Sequence, residues 1–206
     1  MEVLKEAKKD NLKLEISVSK FPEDPRLWDN GSTMLCGHKK YELGDVQVSG
    51  EAGSWRAELV EHLREELEMY EASEDEILDE VYFAPLHLYN HGQLRIKIGG
   101  FDGHLPQGHA RFDSGKVGYI YVPKDEVDSK ERADEIMETE VDIYDDYLRG
   151  AVYQFVLKEI KLCDECGTTH EEIIDSCGGF YGDDLENNGM KHYIDDDLFE
   201  ELENVA

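Results

Sequence analysis

Two neighbouring stretches decide the fold class: Lys116-Val117-Gly118-Tyr119-Ile120-Tyr121-Val122, halted by Pro123, and the run SKERADEIMETEVDIYDDYLRG from Ser129 to Gly150. The first is short and rich in β-branched and aromatic residues, which suits a strand. The second places Ala133, Met137, Val141, Tyr144 and Leu148 on one helical face, with Glu135, Glu138, Asp142 and Asp145 on another. Ser129 supplies an N-cap and Gly150 a stop. The same two patterns recur outward from this centre. Leu12 to Ser19 alternates as a half-buried strand does, and Ser32 to Tyr41 reads as another. Val81–Tyr89 and Leu94–Ile98 form a hairpin through Asn90-His91-Gly92. Ala151–Leu162 and Glu172–Cys177 complete the set, joined by a loop that holds Cys163 and Cys166.

A second helix is expected from the cap Ser54 to Tyr70, with Trp55, Leu59, Leu63, Leu67 and Tyr70 facing inward and Glu58, Glu61, Glu65 and Glu68 outward. A third, Asp195 to Glu203, opens on Asp195, Asp196 and Asp197. The expectation is an α+β fold: a mainly antiparallel sheet, two long acidic amphipathic helices and a short C-terminal helix. No repeat or low-complexity linker divides residues 1–206, so they read as one domain with about ten loose residues at the start.

The 206 residues carry 49 acids against 21 bases, a formal net charge of −28, far beyond the magnitude of roughly 2–8 that solubility asks of a small domain. An apolar fraction of 40% argues against disorder despite that charge. Residues 51–80 hold twelve acids and two bases, residues 124–150 eleven and four, and residues 151–206 fifteen and three. The charge thus concentrates in the helical segments, largely without the Lys or Arg at i+4 that solvated helices use. Such a surface excludes direct nucleic-acid binding and points to a basic, nucleic-acid-binding protein as partner. Carboxylates three or four residues apart on a helix lie ~5–6 Å from one another, comparable to phosphate spacing along a strand. No apolar run approaches the ~18–20 residues of a membrane span and no signal peptide opens the chain, so a soluble, cytoplasmic protein is expected.

Two other chemistries can be read in the chain. Cys163, Cys166, His170 and Cys177 follow a C-x2-C-x3-H-x6-C pattern, whose first half is that of a zinc knuckle; Cys36 with His38 competes for the remaining ligands. The same residues also suit unligated thiols in a hairpin turn. For an enzyme, His38, His87, His91, His104 and His109 offer bases, and Asp29, Asp113 and Asp175 offer carboxylates. No zincin motif, nucleophile elbow or P-loop accompanies them.

Several stretches resemble a family of uncharacterised proteins encoded by many bacteriophages. They are PRLWDN at 25–30, MLCGH at 34–38, YELGD at 41–45, LYNHG at 88–92, DSGKVGYIYV at 113–122, YDDYLRG at 144–150 and DSCGGFYG at 175–182. Gly178 stands where that family tends to show Trp. The resemblance implies a phage accessory protein acting in the bacterial cytoplasm. Joined to the acidic helices, it leads to the expectation of a counter-defence inhibitor that mimics nucleic acid on a host restriction or CRISPR nuclease. A metal-dependent hydrolase built on the Cys and His residues is the alternative, as is an acidic adaptor of a host nucleic-acid-processing protein.

Overall fold

The computed structural model describes residues 2–49, 55–101 and 114–204. Its elements in chain order are β1 (Lys5–Lys9), β2 (Leu12–Val18), β3 (Thr33–Cys36), β4 (Val46–Gln47), α1 (Trp55–Glu66), α2 (Glu74–Asp79), β5 (Val81–Asn90), β6 (Leu94–Ile98), β7 (Ser114–Pro123), α3 (Lys130–Leu148), β8 (Val152–Leu162), β9 (Thr169–Tyr181) and α4 (Asp196–Asn204). The proposed cap Ser54, together with His104, His109 and Asp113, lies outside the described residues. The chain divides into two compact units, Met1–Glu23 with Gly150–Ala206 and Asp24–Arg149, although no linker in the sequence announces them.

In the first unit the sheet order is β1-β2-β8-β9, antiparallel throughout. The N-terminal residues expected to be loose form its edge strand. In Lys5-Glu6-Ala7-Lys8-Lys9 only Ala7 is apolar, and it is the residue that turns into the core. Leu14 and Ile16 of β2 and Phe155 of β8 share that face and are covered by Leu198, Phe199 and Leu202 of α4. On the opposite face Lys13 and Lys158 lie directly across from each other. Their repulsion is relieved by carboxylates. Lys13 pairs with Glu15 at 2.7 Å and Glu171 at 3.0 Å, and Lys158 with the same two residues at 2.7 and 3.0 Å.

In the second unit the order is β4-β3-β7-β5-β6, antiparallel except for the short parallel pair β3–β4. Helices cover both faces. Ile120 and Val122 of β7 pack with Met137, Val141 and Tyr144 of α3, while Tyr119 and Tyr121 pack with Leu59 and Leu63 of α1 and Ile77 of α2. Residues 117–122 are therefore buried without alternation, as a central strand covered on both sides must be. Gly118 is required there, because a Cβ would stand 1.9 Å from the Leu35 carbonyl oxygen. Arg26 fastens α3 to the chain before β3: its guanidinium, almost fully buried, meets Asp45 at 2.6 Å, Glu140 at 2.8 Å and the Ser32 carbonyl at 2.7 Å.

The fold is α+β with antiparallel sheets, but the two long helices are corrected. Of four helices among the described residues, α3 has 19 residues, α1 only 12 and α2 six. The segment expected to be helical up to Tyr70 ends at Glu66, and Glu68 takes a left-handed φ of 56°. Glu65, Glu66 and Glu68 would crowd the negative end of the helix dipole, which disfavours their continuing the helix. Arg64 instead donates to the carbonyls of Met69, Tyr70 and Ala72 at 3.2, 3.2 and 2.8 Å, fixing the turn into α2.

Candidate functional site: the acidic helical layer

α1 and α2 form one layer on the sheet face that carries Tyr119 and Tyr121. Leu59, Val60, Leu63, Ile77 and Leu78 anchor it. α2 was not anticipated, although its signal is legible. Ser73 caps the helix and Glu76 returns the bond to the Ser73 backbone N–H at 2.8 Å, the reciprocal box that Ser-x-x-Glu encodes. Those bonds hold the Glu76 carboxyl below its ordinary value.

The outer surface of this layer carries Glu61, Glu65, Glu66, Glu68, Glu71, Glu74, Asp75, Glu76, Asp79 and Glu80, all ten exposed. Glu58 is half-buried and accepts from Ser49. Only two bases belong to the layer, and both serve it internally. Arg56 binds Glu74 and stands 3.7 Å from Asp75; Arg64 is spent on the turn carbonyls and reaches Glu61 only at 3.9 Å. Lys124, from beyond β7, holds Asp79 at 2.8 Å and lowers its pKa. Tyr70 stands 63% exposed among these acids, an aromatic of the kind that anchors interfaces.

The other expected acids do not join this surface. α3 packs on the opposite sheet face, so Glu135, Glu138 and Asp142 are exposed away from α1. Glu135 pairs with Arg132 at 3.1 Å. Asp145 is buried and structural: it accepts from Arg95 Nε at 2.8 Å, Arg95 Nη2 at 2.7 Å and the Ile96 N–H at 2.8 Å. The helix period placed it beside Asp142, but a β6 arginine draws it inward. Desolvation first, then Asp145, Asp146 and Glu138, push the Asp142 carboxyl above its ordinary value. Asp195, Asp196 and Asp197 are exposed at the start of α4 in the other unit, where Asp195 accepts from the Asp197 N–H at 3.1 Å and Asp197 pairs with Lys9.

The cysteine and histidine residues separate. Cys163 and Cys166 sit at the β8–β9 tip, with His170 one pair inward opposite Lys161. Cys177 lies opposite Phe155, eight residues up β9 from Thr169, or roughly 25 Å at strand rise. Cys36 is buried in the second unit, where burial and Asp45 raise its thiol to about 12, so it is no thiolate at neutral pH. Cys166 is the opposite case: bonds from the Thr168 hydroxyl and N–H and from Cys163 lower it to about 7. Among the described residues no three His, Cys, Asp or Glu side chains gather as a metal site.

A cleft of about 360 Å³ is lined by Gly37, His38, Lys39, Lys40, Ser49, Trp55, Asn90 and Lys116. Burial and Lys40 hold the His38 imidazole below its ordinary value, and its Nδ1 accepts from the Lys40 N–H at 3.2 Å. Among the described residues no carboxylate lines this cleft to complete an acid–base pair. Asp29 is exposed in the same unit and Asp175 is exposed on β9 in the other. Among the described residues no helix is long and apolar enough to cross a membrane. The chain matches no family model, no curated protein and no solved structure.

Proposed function

We propose that this protein acts by binding, with the α1–α2 layer as an anionic surface that occupies the nucleic-acid-binding face of a basic protein. The observation that carries this reading is the layer itself: ten exposed acidic residues along α1, α2 and the turn between them, with both of its arginines engaged in holding it together. Carboxylates on adjacent helical turns recur at ~5–6 Å and offer a cationic groove charge at phosphate-like intervals. Such a field speeds encounter with a basic partner and repels nucleic acid. Joined to the resemblance to phage accessory proteins, this surface leads us to a host restriction or CRISPR nuclease as the partner.

The exposed acids of α3 take no part in this surface, because α3 and α1 pack on opposite faces of the sheet. A hydrolase has less support, since among the described residues the cleft around His38 brings lysines rather than carboxylates to the histidine. The test is competition. A purified nuclease bound by the protein should release it on addition of its own duplex substrate, and the protein should in turn inhibit cleavage. A ternary complex of nuclease, substrate and protein, with cleavage unimpaired, would reject the proposal.

A further inference from the structure

The cleft lined by His38 lies at one end of the second unit's sheet, where β3 leaves it, β5 ends and β7 begins. The strand register brings these ends together: Tyr89 stands opposite Ser114, His87 opposite Lys116, and the Gly37 N–H donates to the Val117 carbonyl at 2.9 Å. The volume of about 360 Å³ falls at the small end of the range for small-molecule sites. A second hollow of about 210 Å³ shares His38, Asn90 and Lys116 with it. Charge distinguishes the cleft. In a chain of 49 acids and 21 bases, Lys39, Lys40 and Lys116 line one hollow, and among the described residues none of them is ion-paired. The Lys116 ammonium instead stands 3.7 Å from the centroid of the Tyr119 ring. Ser49, also at the cleft, donates to Glu58 and keeps that carboxylate engaged.

Three ammonium groups gathered at one cleft repel one another, and a small anion between them answers all three at once. His38 suits the same ligand. Its Nδ1 accepts from the Lys40 N–H at 3.2 Å, which leaves Nε2 to carry the proton of the neutral ring and to donate. Burial and Lys40 hold its pKa down, the direction expected where the local potential is positive. Trp55, half-buried in the same lining, adds an aromatic wall of the kind on which nucleobases stack. We propose that the cleft binds a mononucleotide, with Lys39, Lys40 and Lys116 on its phosphate and Trp55 against its base. A single nucleotide is favoured over a strand, because each further phosphate falls outside the lysines and into the field of a chain of net charge −28. This inference is independent of the basic partner proposed for the outer surface of α1 and α2.

The probe is adenosine monophosphate, titrated into a Trp28→Phe protein in which Trp55 is the one remaining tryptophan. Expected are saturable quenching of Trp55 fluorescence and a matching dissociation constant by calorimetry on the parent protein. Lys39→Ala combined with Lys40→Ala, and Lys116→Gln alone, should each weaken binding at least ~10-fold, as the loss of charge-assisted bonds predicts. Their far-ultraviolet circular dichroism should be unchanged. Lys39→Arg with Lys40→Arg, which keeps the charge, should retain most of the affinity, and Lys161→Ala in the first unit should retain all of it. Inorganic phosphate and adenosine, each carrying half of the ligand, should both bind more weakly than the nucleotide. No saturable binding at millimolar nucleotide, equal affinity for phosphate or adenosine alone, tighter binding of a single-stranded oligonucleotide, or lysine variants that bind as the parent does would overturn the proposal.

Discussion

Asp142 and Asp145, three residues apart on α3, show how little a residue's place on a helical wheel fixes its role. Asp145 gives up solvent for Arg95 and the Ile96 N–H, and an amide in its place removes the counter-charge of Arg95 and turns one of the two acceptor oxygens into a donor. Because the Arg95 side chain is 42% exposed, Asp145→Asn is expected to cost about 1–3 kcal/mol, below the range for a fully buried pair. Asp142 behaves in the opposite sense. Its folded pKa is raised above 3.8, so the folded state binds the proton more tightly than the unfolded state. The ionised group therefore subtracts from stability at neutral pH, and the penalty fades as pH falls towards 3.8. Asp142→Asn should raise the urea midpoint at pH 7 and lose that advantage on acidification, whereas Asp145→Asn should lower the midpoint. A lower midpoint for Asp142→Asn at pH 7 would contradict this account of the α3 surface.

Elements were legible where one face is apolar and the other wet. The alternation of Leu14 and Ile16 against Lys13 and Glu15 gives β2, and the 3.6-residue recurrence of Met137, Val141 and Tyr144 gives α3. β1, α2 and the two-residue β4 escaped, and β9 was read short. β1 buries a single small side chain, Ala7, too little for a periodic signal. α2, at six residues, is shorter than any window in which a period can be counted, and only its capping box marks it. The pairing of β9 was underestimated because its residues are almost all exposed, held at the sheet edge by β8 alone. Of the candidate site, the acids of α1 were legible and their continuation onto α2 was not, since it depends on the turn that Arg64 closes. The charged face of the first sheet carries its own pH signature. Bonds to Lys13 and Lys158 lower the Glu15 and Glu171 carboxyls against desolvation, and bonds to Lys8 and Lys13 lower Glu6. Lowered carboxylates contribute stability that is fully present above their ordinary value of 4.5 and lost as pH falls through the folded values. Unfolding of the first unit should thus become easier below pH 4.5, and Glu15→Gln should flatten that dependence. An unchanged acid profile in the variant would count against the ladder as its source.

At the scale of the whole molecule, charge is unevenly answered. The unit formed by residues 1–23 and 150–206 has 20 acids and eight bases, and the unit of residues 24–149 has 29 and 13. In the first, Lys13, Lys158 and Lys161 interlock with carboxylates across strands, so the charge of the sheet face is paired in place. In the second, the α1–α2 layer has two bases of its own, Arg56 held by Glu74 and Arg64 by the turn carbonyls, against ten exposed acids, the arrangement expected of a surface whose counter-charges arrive with a partner. The most direct test compares two charge-neutralised proteins for association with the same basic nuclease over a range of salt. One carries Glu→Gln at Glu61, Glu65, Glu68 and Glu71 on the α1–α2 layer, the other Glu135→Gln, Glu138→Gln and Asp142→Asn on α3. Rim charges act mainly on the association rate and are screened over a Debye length of ~8–10 Å near physiological salt. The first variant should associate at least ~10-fold more slowly at low salt and lose most of its salt dependence, while the second keeps the rate of the parent protein to within about twofold. Equal slowing in both variants, or slowing confined to the α3 variant, would contradict the assignment of the binding surface to α1 and α2.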